Sequence, residues 1–147
     1  MSSNLVTVYG LNRRPQLAKK VEKITQSVLG HFHVREKTMD IIFLGNKEMV
    51  ALKKKHVKKS GPANTLSFGS PKNFPHPEDR NVPLGEVFVN TDITNYRLPS
   101  IAPLLIHSIL HLLGYHHEDG RDKIEMDRLA KRVMRALKST SKNASQK

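Results

Sequence analysis

The 147-residue sequence contains no cysteine and no tryptophan, and aromatic residues make up only 5% of it. Without cysteine there can be no disulfide-linked partner and no thiolate metal site, so a bound metal must use histidine, carboxylate or water. No apolar run reaches the about 20 residues that span a bilayer, and the first residues lack the apolar segment of a secretory signal. These absences predict a cytoplasmic protein with no membrane partner.

Acidic residues are also scarce, since 13 Asp and Glu stand against 25 Lys and Arg and give a formal net charge of +12. The first 60 residues hold 13 basic and four acidic residues, whereas the remainder holds 12 and nine. An uneven positive charge of this size is typical of a protein that binds a polyanion such as nucleic acid. A solvated, solubilising surface and attraction to anionic lipid are the alternatives.

The hydrophobic pattern predicts one α+β domain over residues 1–138, with a small mixed sheet of about four strands and about four or five helices. The predicted strands are residues 5–9, 39–44, 65–68 and 84–90. The predicted helices are 15–30, a Lys-rich helix capped by Asn46, 100–113 and 120–138. The remaining segments are expected to be irregular: an exposed loop at 69–83, a connection at 91–99 and a disordered polar tail at 139–147.

The third predicted helix carries three histidines in the segment HSILHLLGYHH, which spans residues 107–117. Histidine is the commonest side-chain metal ligand, and His107 and His111, four residues apart, share one face of a helix. The helix is apolar on nearly all sides and is therefore expected to be buried, where unpartnered imidazoles are unfavourable and a bound ion offsets their cost. Gly114 is expected to reverse the chain in a left-handed conformation so that His117 returns to the same ion.

Three neutral nitrogen ligands, with a fourth position left to water, describe a catalytic zinc site. In that arrangement His107, His111 and His117 act through a bound water that attacks a phosphodiester. The alternative is that all three are ordinary core residues, which their spacing disfavours. Zinc peptidases carry a Glu directly after the first histidine, and Ser108 at that position argues against a peptidase. The candidates for a general base are Glu86, His116, Glu118 and Asp119, and the sequence does not choose among them.

The helix after Asn46 is apolar on one side and Lys-rich on the other. Its lysines are candidates for contacts to an RNA backbone, which fix position without reading sequence. They are Lys53, Lys54, Lys55, Lys58 and Lys59. A solvated helix face fits the same pattern equally well.

The histidine segment resembles the HGxLHLxGYDH signature of the YbeY family, which are metal-dependent endoribonucleases. Three other segments are similar to family motifs: residues 62–68 (PANTLSF) to PTDVLSF, residues 84–87 (LGEV) to LGDI, and Glu125-Met126 to an EM near the start of the last helix. The resemblance extends over roughly residues 4–137. Its histidine motif is specific, and the other segments add weight because their order and spacing agree.

The resemblance implies a zincin-like histidine helix, with one zinc ion held by His107, His111 and His117. It also implies a role in maturing the 3′ end of small-subunit ribosomal RNA and in ribosome quality control, with ribosomal RNA and small-subunit components as partners. An alternative is a ribosome-assembly factor that binds RNA without cutting it and holds a structural metal.

Three positions depart from the family pattern. Ser108 replaces a glycine, His116 replaces an aspartate, and Val57 stands where the family has an arginine. Val57 cannot bind phosphate, and Lys55 or Lys58 would supply a nearby charge without the bidentate geometry of arginine. The departures favour a weakened or differently organised activity and keep the binding alternative open.

Overall fold

A computed structural model describes residues 4–57, 64–69, 82–115 and 120–145, with only the backbone described at residues 57, 120–123 and 138–145. The strands are β1 (Leu5–Tyr9), β2 (Lys37–Leu44), β3 (Thr65–Gly69) and β4 (Val82–Asn90). The helices are α1 (Pro15–His31), α2 (Asn46–Val57), α3 (Thr91–Thr94), α4 (Leu98–Leu112) and α5 (Gly120–Ser145). One mixed sheet surrounded by helices confirms the predicted α+β class.

The sheet has the strand order β1-β2-β4-β3. β1, β2 and β4 are parallel, and β3 pairs antiparallel with β4 at one edge. Alternate residues of each strand point to opposite faces. In β2 the buried residues are Met39, Ile41 and Phe43, and in β4 they include Val87 and Val89. These side chains define one face of the sheet, which we call the core face.

Helices α1, α4 and α5 cover the core face and contact one another. α4 supplies the largest group of fully buried side chains: Ile101, Leu105, Ile106, Ile109 and Leu110. Each such side chain stabilises the fold by roughly 1.5–3 kcal/mol when it leaves water. Because α1 and α4 both begin where parallel strands end, they run in the same direction, and α5 packs against both.

α2 lies on the other face of the sheet. The His56 ring contacts the Phe68 ring at a centroid distance of 5.0 Å, and Phe68 contacts Phe88 at 5.8 Å. Phe88 alternates with Val87 and therefore points away from the core face. Met49 of α2 is fully buried but is not part of the main hydrophobic core, because α2 packs on the opposite face of the sheet from that core.

Polar side chains join the ends of β2 and β4 at the carboxyl edge of the parallel strands. The buried Asn90 accepts hydrogen bonds from the backbone N–H groups of Asp92 (2.9 Å) and Ile93 (3.2 Å), and so caps α3. Its amide donates to Asn46 Oδ1 (2.7 Å), while the Asn46 N–H donates to Asp92 Oδ2 (2.6 Å). Asn46 is thus the first residue of α2 rather than its cap, because Gly45 supplies the carbonyl that accepts from Met49.

Other boundaries also differ from the sequence prediction. The short helix α3 lies in the segment predicted to be a connection, and α4 begins at Leu98 rather than at Ser100. α1 continues past Gly30, because His33 rather than glycine adopts the left-handed exit, with φ of 58°. α5 extends beyond its predicted end, so residues 139–145, expected to form an irregular tail, have helical backbone.

Within the described parts of the chain, no helix has both the length and the apolar character needed to cross a membrane.

Candidate active site on helix α4

His107 and His111 lie one turn apart on a ridge of α4 that also carries Ser100 and Pro103. The opposite side of the helix is held by the core, so the ridge points outward. Both imidazoles are half-buried, and the His107 side chain is 37% exposed. The prediction that the helix buries them was therefore wrong, and desolvation does not force a metal into this position.

The polar residue that α4 does bury is Ser108, which is 3% exposed. Its small side chain lies on the packed side of the helix, where the family pattern has glycine. Among the described residues, no buried side-chain nitrogen or oxygen lacks a hydrogen-bond partner. Ser108 is therefore accommodated in the core and does not present its hydroxyl on the histidine ridge.

Asp127 of α5 lies beside the histidine ridge and was not predicted from the sequence. Its Oδ1 is 3.7 Å from His107 Nε2, which is beyond hydrogen-bond distance but within reach of an ion pair when the imidazole is charged. Met126, Ala130 and Val133 bury one face of α5, and Asp127 follows the first of them at the margin of that face. A carboxylate here can orient the His107 ring or bind the same cation.

The carboxyl end of α4 packs against two glycines of the sheet, Gly69 and Gly85. A Cβ atom at Gly85 would lie 2.8 Å from Leu112 Cδ2 and 2.5 Å from the Phe68 carbonyl oxygen. At Gly69, a Cβ atom would meet Leu112 at 3.9 Å. The absence of a side chain at Gly85 therefore lets α4 approach the β3–β4 pair closely, which fixes the position of the neighbouring His111.

Gly114, two residues after the end of α4, has the predicted left-handed conformation, with φ of 103°. The Tyr115 N–H donates to the Leu110 carbonyl and the Gly114 N–H to the His111 carbonyl, each at 3.0 Å, which is the Schellman arrangement. The Tyr115 ring then packs 6.0 Å from the Phe32 ring at the end of α1. The predicted exit from the helix is confirmed to this point.

Several predicted site residues lie outside the described residues: Lys58, Lys59, His116, His117, Glu118 and Asp119. Whether His117 joins His107 and His111 therefore stays a prediction. Within the described segments, no three His, Asp or Glu side chains are close enough together to hold a metal ion.

Glu86, a predicted candidate for the general base, does not lie at the histidine ridge. It is exposed and pairs across the sheet with Asp40 and Phe68, on the face opposite to α4. Its neighbours Gly85 and Val87 are buried, and because side chains alternate along a strand, the sequence alone could have indicated that Glu86 points away from α4. Glu86 is therefore too poorly placed to act with His107 and His111.

The Lys-rich helix α2 also lies on the face opposite to α4. Lys54 and Lys55 are exposed, which suits contact with a polyanion and a solvated helix face equally, whereas Lys53 is half-buried. The backbone of Val57 ends the helix. The structure thus places His107 and His111 on one ridge, sets Asp127 beside His107, and keeps Lys53, Lys54 and Lys55 on the other face of the sheet.

The family model described as endoribonuclease YbeY matches residues 10–138, which is most of the chain. The chain belongs to the YbeY family. An endoribonuclease YbeY of Ehrlichia canis is 27% identical over 137 residues, covering 88% of this chain and 86% of that protein. One from Dehalococcoides mccartyi is 34% identical over 99 residues, covering 55% and 58% of the two chains. Membership of the YbeY family supports a nuclease role for the chain.

The fold agrees with a solved solution structure of a Thermotoga maritima protein. The TM-score is 0.53 at 17% identity, and the match covers 92% of this chain and 93% of the other. At this identity the similarity concerns the fold alone. The YbeY match and the fold therefore agree on one small α+β domain.

Proposed function

We propose that this YbeY-family chain is a zinc-dependent endoribonuclease that cleaves single-stranded RNA during maturation of small-subunit ribosomal RNA in the cytoplasm. Its partners would be ribosomal RNA and components of the small ribosomal subunit. The observation that carries the proposal is the pair His107 and His111 on one outward ridge of α4, in a chain that matches an endoribonuclease family and has a net charge of +12.

The ridge and the adjacent Asp127 offer donor types that suit a zinc ion. Two imidazole nitrogens one turn apart and a carboxylate oxygen beside them are the donor types that zinc prefers in a protein without cysteine. His117, which follows the left-handed turn at Gly114, is the proposed third ligand. When bound, zinc would polarise the scissile phosphate and acidify the attacking water.

The chain's own residues have separate tasks in this proposal. The contact between Leu112 and Gly85 holds the ridge at a fixed height above the sheet, and Asp127 would orient the His107 ring once the two approach to hydrogen-bond distance. His116, Glu118 and Asp119 remain candidates for the base, since each follows the turn directly. RNA that also touches Lys54 or Lys55 must pass around the β3 edge, because those lysines lie on the other face of the sheet.

Cleavage of a labelled single-stranded RNA by His107→Ala and His111→Ala, together with the zinc content of each purified variant, tests the proposal. His33→Asn is the matched control, because it removes an exposed imidazole and asparagine tolerates the left-handed conformation found there. We expect both ridge variants to lose zinc and cleavage while the control keeps both. Undiminished cleavage by either ridge variant would overturn the proposal. Zinc retention and RNA binding by a wild-type protein that never cleaves would instead favour the assembly factor with a structural metal.

A further inference from the structure

A second candidate binding site lies at the other end of α4, where β1 leads into α1. It is a cleft of about 650 Å³ lined by a short segment after β1 and by the residue before α4's cap: Gly10, Leu11, Asn12, Arg13, Arg14 and Tyr96. A cleft of this size falls within the range of ligand pockets. It contains none of the residues that the proposed zinc site uses.

The wall formed by the chain after β1 has a fixed shape. Gly10 has φ of 91°, and a Cβ atom there would overlap the Phe43 carbonyl oxygen of β2, so only glycine fits this approach. Leu11 is buried, and its carbonyl accepts a hydrogen bond from the Arg14 N–H at 2.9 Å. This anchored turn leaves the side chains of Arg13 and Arg14 exposed at the cleft.

The opposite wall is held by the connection between α3 and α4. Asn95 and Tyr96 both have left-handed backbones, with φ of 52° and 58°. The Arg97 N–H donates to the Thr94 carbonyl at 3.0 Å, which closes this turn. The Tyr96 ring thereby reaches the cleft, where Arg14 Cζ lies 4.0 Å from the ring centroid.

The guanidinium of Arg14, with one face stacked on Tyr96, can still bind a ligand in two ways. Its N–H groups lie in the plane of the guanidinium and can donate to an anion, and because Arg14 is exposed its outer face can carry a further planar group. In the described parts of the chain, no carboxylate forms an ion pair with Arg13 or Arg14. The first turns of α1 and α4, which adjoin the cleft, contain no acidic residue either.

We propose that this cleft, termed here the arginine cleft (Asn12, Arg13, Arg14 and Tyr96), binds one nucleotide of single-stranded RNA away from the cleavage site. Arg13 and Arg14 donate hydrogen bonds to a phosphate, and a base extends the Arg14–Tyr96 stack. The proposal rests on the proposed function, because it takes RNA as the substrate.

The separation of the two sites fixes what the cleft can do. At about 1.5 Å per residue, the axial distance from Leu98 to His111 is roughly 20 Å. A nucleotide in the arginine cleft is therefore several nucleotides from the one at the histidines. The cleft should therefore raise the affinity of a single strand without contacting the phosphodiester that is cut.

Fluorescence anisotropy with a labelled single-stranded RNA of about 12 nucleotides, in excess chelator so that nothing is cleaved, tests the proposal. The double variant Arg13→Gln/Arg14→Gln should bind about tenfold or more weakly and reduce the slope of log affinity against log salt by about one to two. Lys19→Gln/Lys20→Gln is the matched control, because it removes the same charge from exposed positions of α1 outside the cleft. It should bind within about twofold of wild type.

Tyr96 separates stacking from charge. Tyr96→Phe should bind as wild type does, whereas Tyr96→Leu should bind several-fold more weakly, with circular dichroism showing that both are folded. Equal loss in the arginine and lysine double variants would overturn the proposal, because it would indicate general attraction to positive charge. So would arginine variants that keep wild-type affinity for RNA and lose only the binding of an acidic protein.

The same measurements keep the two proposals apart. If wild type binds RNA through the arginine cleft and never cleaves it, the nuclease proposal fails and the cleft stands. If cleavage depends on His107 and His111 while the arginine double variant matches the lysine control, the cleft proposal fails and the nuclease proposal stands.

Discussion

The two ends of α4 carry opposite chemistry. At the carboxyl end, His107, His111 and Asp127 offer lone pairs to a cation. At the amino end, Arg13 and Arg14 offer only N–H donors, beside the ring of Tyr96. One helix thus separates groups suited to reaction from groups suited to holding an anion, and variants at one end should leave the other intact.

The largest effect that tests this separation comes from the double variant His107→Ala/His111→Ala. We expect at least about a hundredfold loss of RNA cleavage, because both ridge ligands are removed, with RNA affinity in chelator within about twofold of wild type. Cleavage rates and anisotropy on one protein preparation check both values. A matching loss of affinity would show that the two ends are not independent.

Gly85→Ala tests the close packing of the carboxyl end of α4 on the sheet. Its new Cβ atom would crowd the Phe68 carbonyl and Leu112, so we expect a loss of about 2–3 kcal/mol in the free energy of unfolding. Urea denaturation measures it. Gly30→Ala is the control, since nothing lies within 4 Å of its Cβ position and alanine is favoured by roughly 0.5–1 kcal/mol in a helix. Equal stability of the two variants would contradict the close seating of α4.

A smaller effect is expected from Asp127→Asn. Loss of the carboxylate beside His107 should weaken zinc binding about tenfold and leave RNA affinity unchanged. Competition with a chromogenic chelator measures the zinc affinity. Glu125→Gln, an exposed position on the same helix, is the control and should keep wild-type affinity. Identical zinc affinities of the two variants would remove Asp127 from the site.

The smallest effect is expected from Glu86→Gln. Because Glu86 is exposed on the sheet face opposite to α4, cleavage should change by less than about twofold. A cleavage assay across several zinc concentrations checks it. A tenfold or greater fall in cleavage would show that Glu86 acts with the histidines and that its placement on the opposite face is wrong.

Local signals in the sequence were sufficient for most of the elements. Pro15 marks the start of α1, and Gly114 marks the left-handed exit from α4. The apolar segments at residues 39–44 and 84–90 identified β2 and β4. The four-residue helix α3 was missed because it depends on the Asn90 cap rather than on hydrophobic periodicity. His33 was missed as a helix exit because Gly30 is the residue type that most often ends a helix in the left-handed conformation.

The candidate site was less predictable than the fold. The spacing of His107 and His111 placed them on one ridge, but their burial was overestimated, because apolar composition alone does not say which side of a helix meets its neighbours. Asp127 was missed because its approach to His107 arises from the packing of α5 on α4, which no local pattern records. The outward direction of Glu86, in contrast, was available from its buried neighbours.

The burial of one side of α4 also restricts how the protein can change. Deleting a single residue between the two ends would rotate everything beyond it by about 100°, turning His107 and His111 toward the core and Ser108 toward solvent. The number of residues between the two ends of α4 can therefore change only by about one helical turn, which is three or four residues, at a time. Variants that accept longer or shorter strands should arise through altered loops flanking α4, while the length of the helix itself stays constant.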